Sequence, residues 1–185
     1  VYLIGNDDSH DVDDITYVGR RFTMINAMGN SSEQLIRALE NGNAVGVDFS
    51  VISDETLEQK IQRIKKNLPY ITQVELRGDT LLVSASKPFF KIRFIGQDGV
   101  ELDAQKYKKT GIYVIKQDDN YVRAELIFND WTRLYLNPIT RHESSEIVKQ
   151  RLDYINWTKT IILWVVYILD LLIVYKSISR CVNKS

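Results

Sequence analysis

The feature that most constrains this fold lies near the C-terminus, where residues 160–175 read TIILWVVYILDLLIVY between two lysines. The run carries one charge, Asp170. At about 1.5 Å per residue it covers roughly 24 Å, and its apolar flanks extend it to the thickness of a bilayer core. Trp157 and Tyr175 lie where interfacial aromatic anchors are expected. The pattern predicts a transmembrane helix over residues 157–178, with a buried helix of a soluble protein as the alternative.

Asp170 is the residue of this run with the most specific prediction. A carboxylate at the centre of a membrane helix costs about 2.5–3.5 kcal/mol, so Asp170 is expected to face a protein partner rather than lipid. Hydration near the membrane surface is the alternative. Tyr167 precedes it by one turn and would share its face. Asp170 and Tyr167 are therefore predicted partner contacts, with other subunits of a membrane complex and the lipid bilayer as the expected partners.

Charge argues against one class of partner. The 185 residues include 24 basic and 24 acidic side chains, so the chain has no net attraction for a polyanion and nucleic acid is not expected to bind. Lysine and arginine, the residues that set orientation, are equal on the two sides of the apolar run, at three against three. Only the residues after the run lack acids, and on that difference a cytoplasmic C-terminus is expected. A single-pass membrane protein with an extracytoplasmic soluble domain is the resulting expectation.

An acidic stretch opens the chain. Residues 6–14 read NDDSHDVDD and allow two interpretations, a divalent-cation loop or a solvated acidic linker over residues 1–14. The stretch lacks the spacing of glycine and terminal glutamate that a calcium loop of the EF-hand type requires, which favours the linker. No metal and no cofactor are predicted.

The following residues alternate between strand and helix patterns. Residues 15–25 can form a strand, and Ser31 with Gln34 three residues later predicts a capped helix. After an alternating extended segment, Ser53 or Asp54 is predicted to cap a second helix, which must end before Pro69. Its apolar face is predicted from the spacing of Leu57, Ile61, Ile64 and Leu68.

From Pro69 onward the apolar residues recur with a period of two. Segments 71–76 and 81–85 flank Arg77-Gly78-Asp79-Thr80, which is typical of a hairpin. Further short strands follow and predict a mostly antiparallel second half. They are expected at 90–94, 112–115, 121–128 and 131–136.

The order strand, helix, extended link, helix, hairpin resembles a POTRA-type domain. Residues 57–94 are similar to the central part of the bacterial division protein family FtsQ/DivIB, in the turn Leu68-Pro69-Tyr70-Ile71, the strand Gln73-Val74-Glu75-Leu76 and the pair Lys87-Pro88. That family carries its span ahead of this domain. The ring-building domains of type III secretion basal-body proteins, some of which have a C-terminal span, are the alternative resemblance. Both imply a scaffold that binds neighbours through sheet edges and flat faces, without enzymatic activity.

These patterns together predict an α+β fold, a POTRA-like strand-helix-helix-hairpin followed by a mostly antiparallel β region and a C-terminal transmembrane helix. The predicted segments are an acidic linker at 1–14, a POTRA-like domain at 15–95, a β-rich extension at 96–140, a stalk helix at 141–156, the transmembrane helix at 157–178 and a basic tail at 179–185.

Catalytic motifs are few. His10 and His142 stand alone in the sequence, no serine or cysteine lies in a recognisable nucleophile motif, and no glycine-rich phosphate loop follows a strand. An enzyme is not predicted. The aromatic residues Phe90, Trp131 and Tyr135 are predicted partner contacts, because their strands are expected to include an edge that can add a partner's strand, with core packing as the alternative. The predicted function is a non-catalytic assembly or scaffold subunit of a membrane complex; the alternative is a sensory or accessory subunit that binds a ligand or polysaccharide.

Overall fold

The computed structural model describes residues 3–7, 9–11, 13–141 and 157–182. The chain divides into two compact units, Val1–Glu143 and Ser144–Ser185. The described residues of the first unit include two helices, the strands of the sheet and the hydrophobic core. Those of the second unit, residues 157–182, form one helix.

Eight strands and two helices are found among the described residues of the first unit. In chain order they are β1 (Arg21–Ile25), α1 (Ser32–Glu40), β2 (Ala44–Asp48), α2 (Leu57–Asn67), β3 (Ile71–Arg77), β4 (Thr80–Ile95), β5 (Glu101–Val114), β6 (Tyr121–Ile127), β7 (Arg133–Leu136) and β8 (Ile139–Thr140). A short 3₁₀ turn, Gln97–Gly99, joins β4 to β5.

The strands make one antiparallel sheet whose main order is β1-β2-β7-β6-β4-β3, with β5 along the other side of β4 and β8 beside β6. The long strand β4 connects its two ends. Its first half pairs with β3, in the register Val74↔Val83, and its second half pairs with β6, in the register Ile92↔Leu126. β5 accompanies both halves.

The ribbon of β4 and β5 bends sharply at its middle. Between the pairs Ser84↔Thr110 and Phe89↔Lys108, β4 advances five residues while β5 advances two. The bend brings the two halves into contact, because a Cβ added at Gly111 would lie only 2.6 Å from Cδ1 of Ile92. A side chain at position 111 would therefore push the two halves apart.

Both halves of the bent ribbon share one core with the inner faces of β2, β6 and β7. The Phe94 and Tyr113 rings stack at 5.2 Å across the bend, and the core continues through Val47, Leu126 and Leu134. Burial raises the pKa of the Tyr113 hydroxyl to about 12, and the hydroxyl donates to Asp119 at 2.7 Å.

The ends of α1 follow the local sequence. α1 begins after Ser31, whose hydroxyl accepts from the Gln34 amide while the Gln34 side chain returns to the Ser31 amide, as predicted.

The end of α2 also agrees with the sequence, but its beginning differs. α2 ends before Pro69, as expected. It begins after Thr56, so the predicted caps Ser53 and Asp54 are wrong. Asp54 lies in the left-handed region with φ of 60°, and the Thr56 hydroxyl accepts the Gln59 amide at 3.2 Å instead.

The predicted fold class needs correction. A POTRA-like unit followed by a separate β region is not what forms, because β2 pairs with β7 and β4 pairs with β6. Strands from residues 15–95 and from residues 96–140 therefore belong to one mostly antiparallel sheet, with the helices outside it. The α+β description fits only in part.

The second unit contains α3 (Trp157–Val182). Within the described residues, no helix has the length and apolar character needed to cross a membrane. Side chains of α3 are described continuously from Trp157 to Leu172, a stretch that includes Lys159 and Asp170 and falls short of the roughly 20 consecutive apolar residues that a bilayer requires. The transmembrane helix predicted over residues 157–178 is therefore wrong.

Two further predicted segments fall largely outside the described residues. Of the stalk helix at 141–156, only Arg141 is described, and it follows β8. Of the basic tail at 179–185, residues 179–182 form the last turn of α3, and residues 183–185 lie outside the described part.

Candidate functional site

Three aromatic side chains meet on the surface of the first unit. The Phe90 ring lies 5.3 Å from the Tyr107 ring, edge to face, and 6.5 Å from the Trp131 ring. Tyr107 is 74% exposed and Trp131 is 67% exposed, whereas Phe90 is partly buried beneath them. We call these three residues the aromatic cluster. Such a cluster offers a large, rigid apolar contact area at low cost in side-chain entropy.

The backbone at two of these residues is strained. Tyr107 has φ of 54° and Trp131 has φ of 67°, both in the left-handed region that favours glycine. For bulky residues this conformation costs on the order of 1–3 kcal/mol, and such residues concentrate at functional sites. Tyr107 lies at the bend of the β4–β5 ribbon, so the same bend that closes the core also turns this ring outward.

The turn that carries Trp131 is fixed by polar contacts. The Asp130 carboxylate accepts from the Thr132 amide at 3.0 Å, and the Trp131 amide donates to the Phe128 carbonyl at 3.0 Å. Thr132 is fully buried, and its hydroxyl accepts from the Ser50 amide at 3.3 Å. The turn between β6 and β7 is thereby attached to the segment that follows β2.

A buried ion pair stabilises the segment that follows β2, to which this turn is attached. Arg63 of α2 and Glu55 form two charge-assisted hydrogen bonds of 2.7 Å, with side chains only 13% and 9% exposed. The guanidinium also donates to the hydroxyl and carbonyl of Ser50, at 2.9 and 2.8 Å, and lies 4.4 Å from the centre of the Phe49 ring. The Arg63 hydrogen bonds hold the pKa of the Glu55 carboxyl below its usual value.

Three lysines lie beside Tyr107 of the aromatic cluster, all on β5. The Lys106 ammonium lies 6.0 Å from the centre of the Phe90 ring, at the outer limit of a cation–π contact. Lys108 and Lys109 are exposed on β5, and neither forms an ion pair with any described residue. The cluster is therefore an apolar patch with a basic border, which suits an acidic partner.

The buried amine of Lys60 has a lowered pKa, as reactive lysines do, but its hydrogen bonds give it a structural role. Lys60 of α2 is 3% exposed, and burial lowers the pKa of its ammonium group. Its Nζ donates to the carbonyls of Ile15 and Val18, each at 2.7 Å. The adjoining cavity holds about 30 Å³, room for about one water molecule. Lys60 thus anchors residues 15–18 to α2 in an interior that admits no substrate.

The acidic segment makes local turns. Asp7 accepts from the amides of Ser9 and Gly19, and the Gly19 bond, at 2.7 Å, lowers the pKa of the Asp7 carboxyl. Asp14 accepts from the Thr16 amide in the same way. Among the residues described, no three acidic, histidine or cysteine side chains are placed to hold a metal ion. His142 lies outside the described residues.

The structure brings together two of the predicted contact residues, Phe90 and Trp131. Tyr135 lies apart from them on β7, opposite Gly46 and Glu125 in the neighbouring strands. An edge strand was expected near these residues, but β4 and β7 each have neighbours on both sides. Tyr107 was missed, although an aromatic residue among three lysines within a strand pattern is the signal that could have identified it.

The other two predicted contacts belong to the second unit. Asp170 and Tyr167 are both exposed on α3, and Tyr167 borders a shallow apolar surface with Leu163, Trp164, Ile168 and Leu171. Their contact with a partner stays a prediction.

Comparisons of the chain with protein families, with characterised proteins and with solved structures give no match.

Proposed function

We propose that this chain is a non-catalytic interaction module, one subunit of a larger assembly, which docks a partner protein through the aromatic cluster. The observation that carries this proposal is the exposure of Tyr107 and Trp131 in strained backbone conformations beside Phe90. Tyrosine and tryptophan dominate the binding energy of protein interfaces, because they bury large rigid surfaces at the interface centre. Strain that does not improve packing in the free chain is compensated when the rings are buried by a partner.

The lysine border supports an acidic partner surface. Lys108 and Lys109 extend from β5 next to Tyr107, and charges at the rim of an interface steer association and fix orientation more than they add affinity. The resemblance to division and ring-building scaffolds agrees with this role, since both families bind neighbours without chemistry.

At the aromatic cluster, a ligand- or polysaccharide-binding role is less well supported. Small-ligand sites are concave and surround most of the ligand. Tyr107 and Trp131 instead project with 74% and 67% of their surface exposed, which suits a partner that supplies its own concave surface.

The proposal is tested by affinity purification of the intact chain from its native cells, with quantitative mass spectrometry of the proteins recovered. A Tyr107→Gly/Trp131→Gly variant removes both exposed rings at positions whose left-handed backbone suits glycine, so the fold is retained. We expect at least one protein to be roughly tenfold depleted with this variant, as loss of interface aromatic residues typically produces.

Tyr17→Ala is the matched control, because Tyr17 is 52% exposed and lies outside the aromatic cluster. It should recover the same proteins as the unaltered chain. Thermal melting must show that both variants are folded. Recovery of an unchanged set of proteins with the double variant would contradict the proposed function.

A further inference from the structure

Within the described residues, four strands of the sheet have only one neighbour: the two-residue β8 and the longer strands β1, β3 and β5. The free backbone edges of the three longer strands differ in how far they are covered. β1 is covered by residues 3–7, where the Gly5 amide donates to the Thr23 hydroxyl and this hydroxyl donates to the Gly5 carbonyl. On β5, the Gln105 side chain satisfies backbone groups of Ile112. Its side-chain carbonyl accepts from the Ile112 N–H, and its NH₂ group donates to the Ile112 carbonyl. Both strands therefore have part of their free backbone satisfied.

β3 is different. Within the described part of the chain it pairs with β4 alone, and its backbone on the other side has no such cover. Val74 and Leu76 on this strand are 52% and 50% exposed. An open strand edge with apolar side chains is a template for a further strand, and proteins generally protect such edges unless they use them.

A groove lies beside the first half of β3, between this strand and the ends of β1, β2 and β7. It has a volume of about 810 Å³, within the range of about 300–1,000 Å³ typical of binding sites. One wall is formed by the beginning of β3 and Tyr70, and the opposite wall by the ends of β1, β2 and β7, with Met24, Val45 and Leu136 among its apolar residues. The groove thus combines an unpaired backbone with apolar surface.

The lining indicates the chemistry of what binds there. None of the residues that line the groove is charged, and its polar side chains include the amides of Asn26, Asn43 and Asn137. A charged segment would lose hydration without gaining an ion pair. An uncharged segment with alternating apolar residues would gain ladder hydrogen bonds from β3 and bury its apolar side chains against Met24 and Val45.

We propose that this groove binds an extended, uncharged peptide segment of a partner protein, which adds to β3 as a further strand. This site is separate from the aromatic cluster, and the inference does not rest on the proposed function. Strand addition of this kind takes affinity from main-chain hydrogen bonds and specificity from pockets for alternate side chains.

The test uses the full chain, isotope-labelled, titrated with an acetylated and amidated six-residue peptide of alternating threonine and valine. We expect saturable changes in the amide resonances of β3 and of Met24 and Val45. The same peptide with N-methyl groups at alternate residues cannot form the ladder and should bind at least roughly tenfold more weakly. Absence of saturable binding, or equal binding by the methylated peptide, would overturn the proposal.

Two protein variants locate the site. Thr72→Arg places a charge on an exposed groove residue of β3 and should weaken binding at least roughly tenfold. Val114→Arg changes a residue of β5 that is 60% exposed and should leave binding unaltered. Equal effects of the two variants would overturn the assignment to β3.

Two further outcomes separate this proposal from its alternatives. The Tyr107→Gly/Trp131→Gly variant should bind the peptide as the unaltered chain does, so failure of the proposed function leaves this result intact. Concentration-dependent dimerisation that Thr72→Arg abolishes and the peptide does not displace would show that a second copy of the chain occupies the groove, and would overturn the assignment to a partner peptide.

Discussion

Glu55 and Arg63 connect the interior of the first unit to the aromatic cluster. Arg63 donates to Ser50, and Ser50 in turn donates to Thr132 and Asp130 of the Trp131 turn. Glu55 neutralises the buried guanidinium. Because breaking a buried pair leaves one charge without compensation, its removal is costly even where the pair itself adds little stability.

Glu55→Gln should therefore lower the free energy of unfolding by about 3 kcal/mol at pH 7. The folded-state pKa of Glu55 lies below its usual value of 4.5, so its stabilising contribution is present above that pH and is lost as the pH falls through the lowered pKa. The difference between the variant and the unaltered chain should then shrink on acidification. Urea unfolding at pH 7 and near pH 3 measures both effects.

Glu33→Gln is the comparison for this prediction. Glu33 forms an exposed pair with Arg37, with side chains 82% and 72% exposed, and pairs of this kind contribute about 0.3–0.5 kcal/mol. A loss from Glu55→Gln as small as that from Glu33→Gln would contradict the role assigned to the buried pair.

At the scale of residues, the sequence predicted the features that depend only on neighbours along the chain. The capping box of Ser31 and Gln34 is such a case. The inward face of α2 was predicted less well, since Leu57 and Ile61 are 47% and 41% exposed while Lys60 is buried. The apolar spacing predicted the helix. The side of α2 that carries Lys60 lies inward because the Lys60 ammonium donates to the main-chain carbonyls of Ile15 and Val18, which are distant in sequence.

At the scale of elements, the bend of the β4–β5 ribbon depends on the absence of a side chain at position 111. A Cβ there would lie 2.6 Å and 2.9 Å from two carbon atoms of Ile92 and 3.4 Å from the Phe94 ring. Gly111→Ala should lower the free energy of unfolding by about 1–3 kcal/mol, the usual cost of overpacking a core. Chemical denaturation measures the loss.

Ile92→Val in the same chain tests the cause of that loss. Valine lacks Cδ1, the atom nearest to the added methyl group, so the double variant should be more stable than the sum of the two single losses predicts. Strictly additive losses would show that the clash with Ile92 is not what limits the bend.

The strands themselves could be predicted from alternation, but not their partners. The hairpin of β3 and β4 lies where its turn residues predict, because a two-residue turn determines the register of the two strands that it joins. The pairing of Val47 with Leu134 joins residues far apart in sequence, and period-two patterns are the same for every strand. For the same reason Phe90 and Trp131 could be predicted as partner contacts from the sequence, while their contact with Tyr107 depends on the folded ribbon.

At the scale of the whole molecule, each unit has a different character. The first has a continuous core that includes both halves of the bent ribbon. In the second, every described side chain from residue 161 to residue 172 is exposed, and almost all of them are apolar. Exposed apolar side chains on a helix favour association.

Residues 1–143 should therefore fold without the remainder of the chain. We expect a chain ending at Glu143 to melt within a few degrees of the intact protein. We also expect the intact chain to self-associate through α3 as its concentration rises, and the truncated chain to stay monomeric at the same concentrations. Calorimetry and light scattering measure these two properties. A truncated chain that lacks a cooperative melting transition would show that the first unit depends on the second.

The left-handed backbone at Tyr107 and Trp131 has a consequence for how this protein would respond to selection. A glycine at either position relieves the unfavourable φ angle and should raise the thermal stability. Selection for thermal stability alone should therefore replace both aromatic residues. Screening for retention by its natural assembly would keep them. Heat-resistant lineages and assembly-competent lineages should then diverge first at these two positions, ahead of any residue of the core.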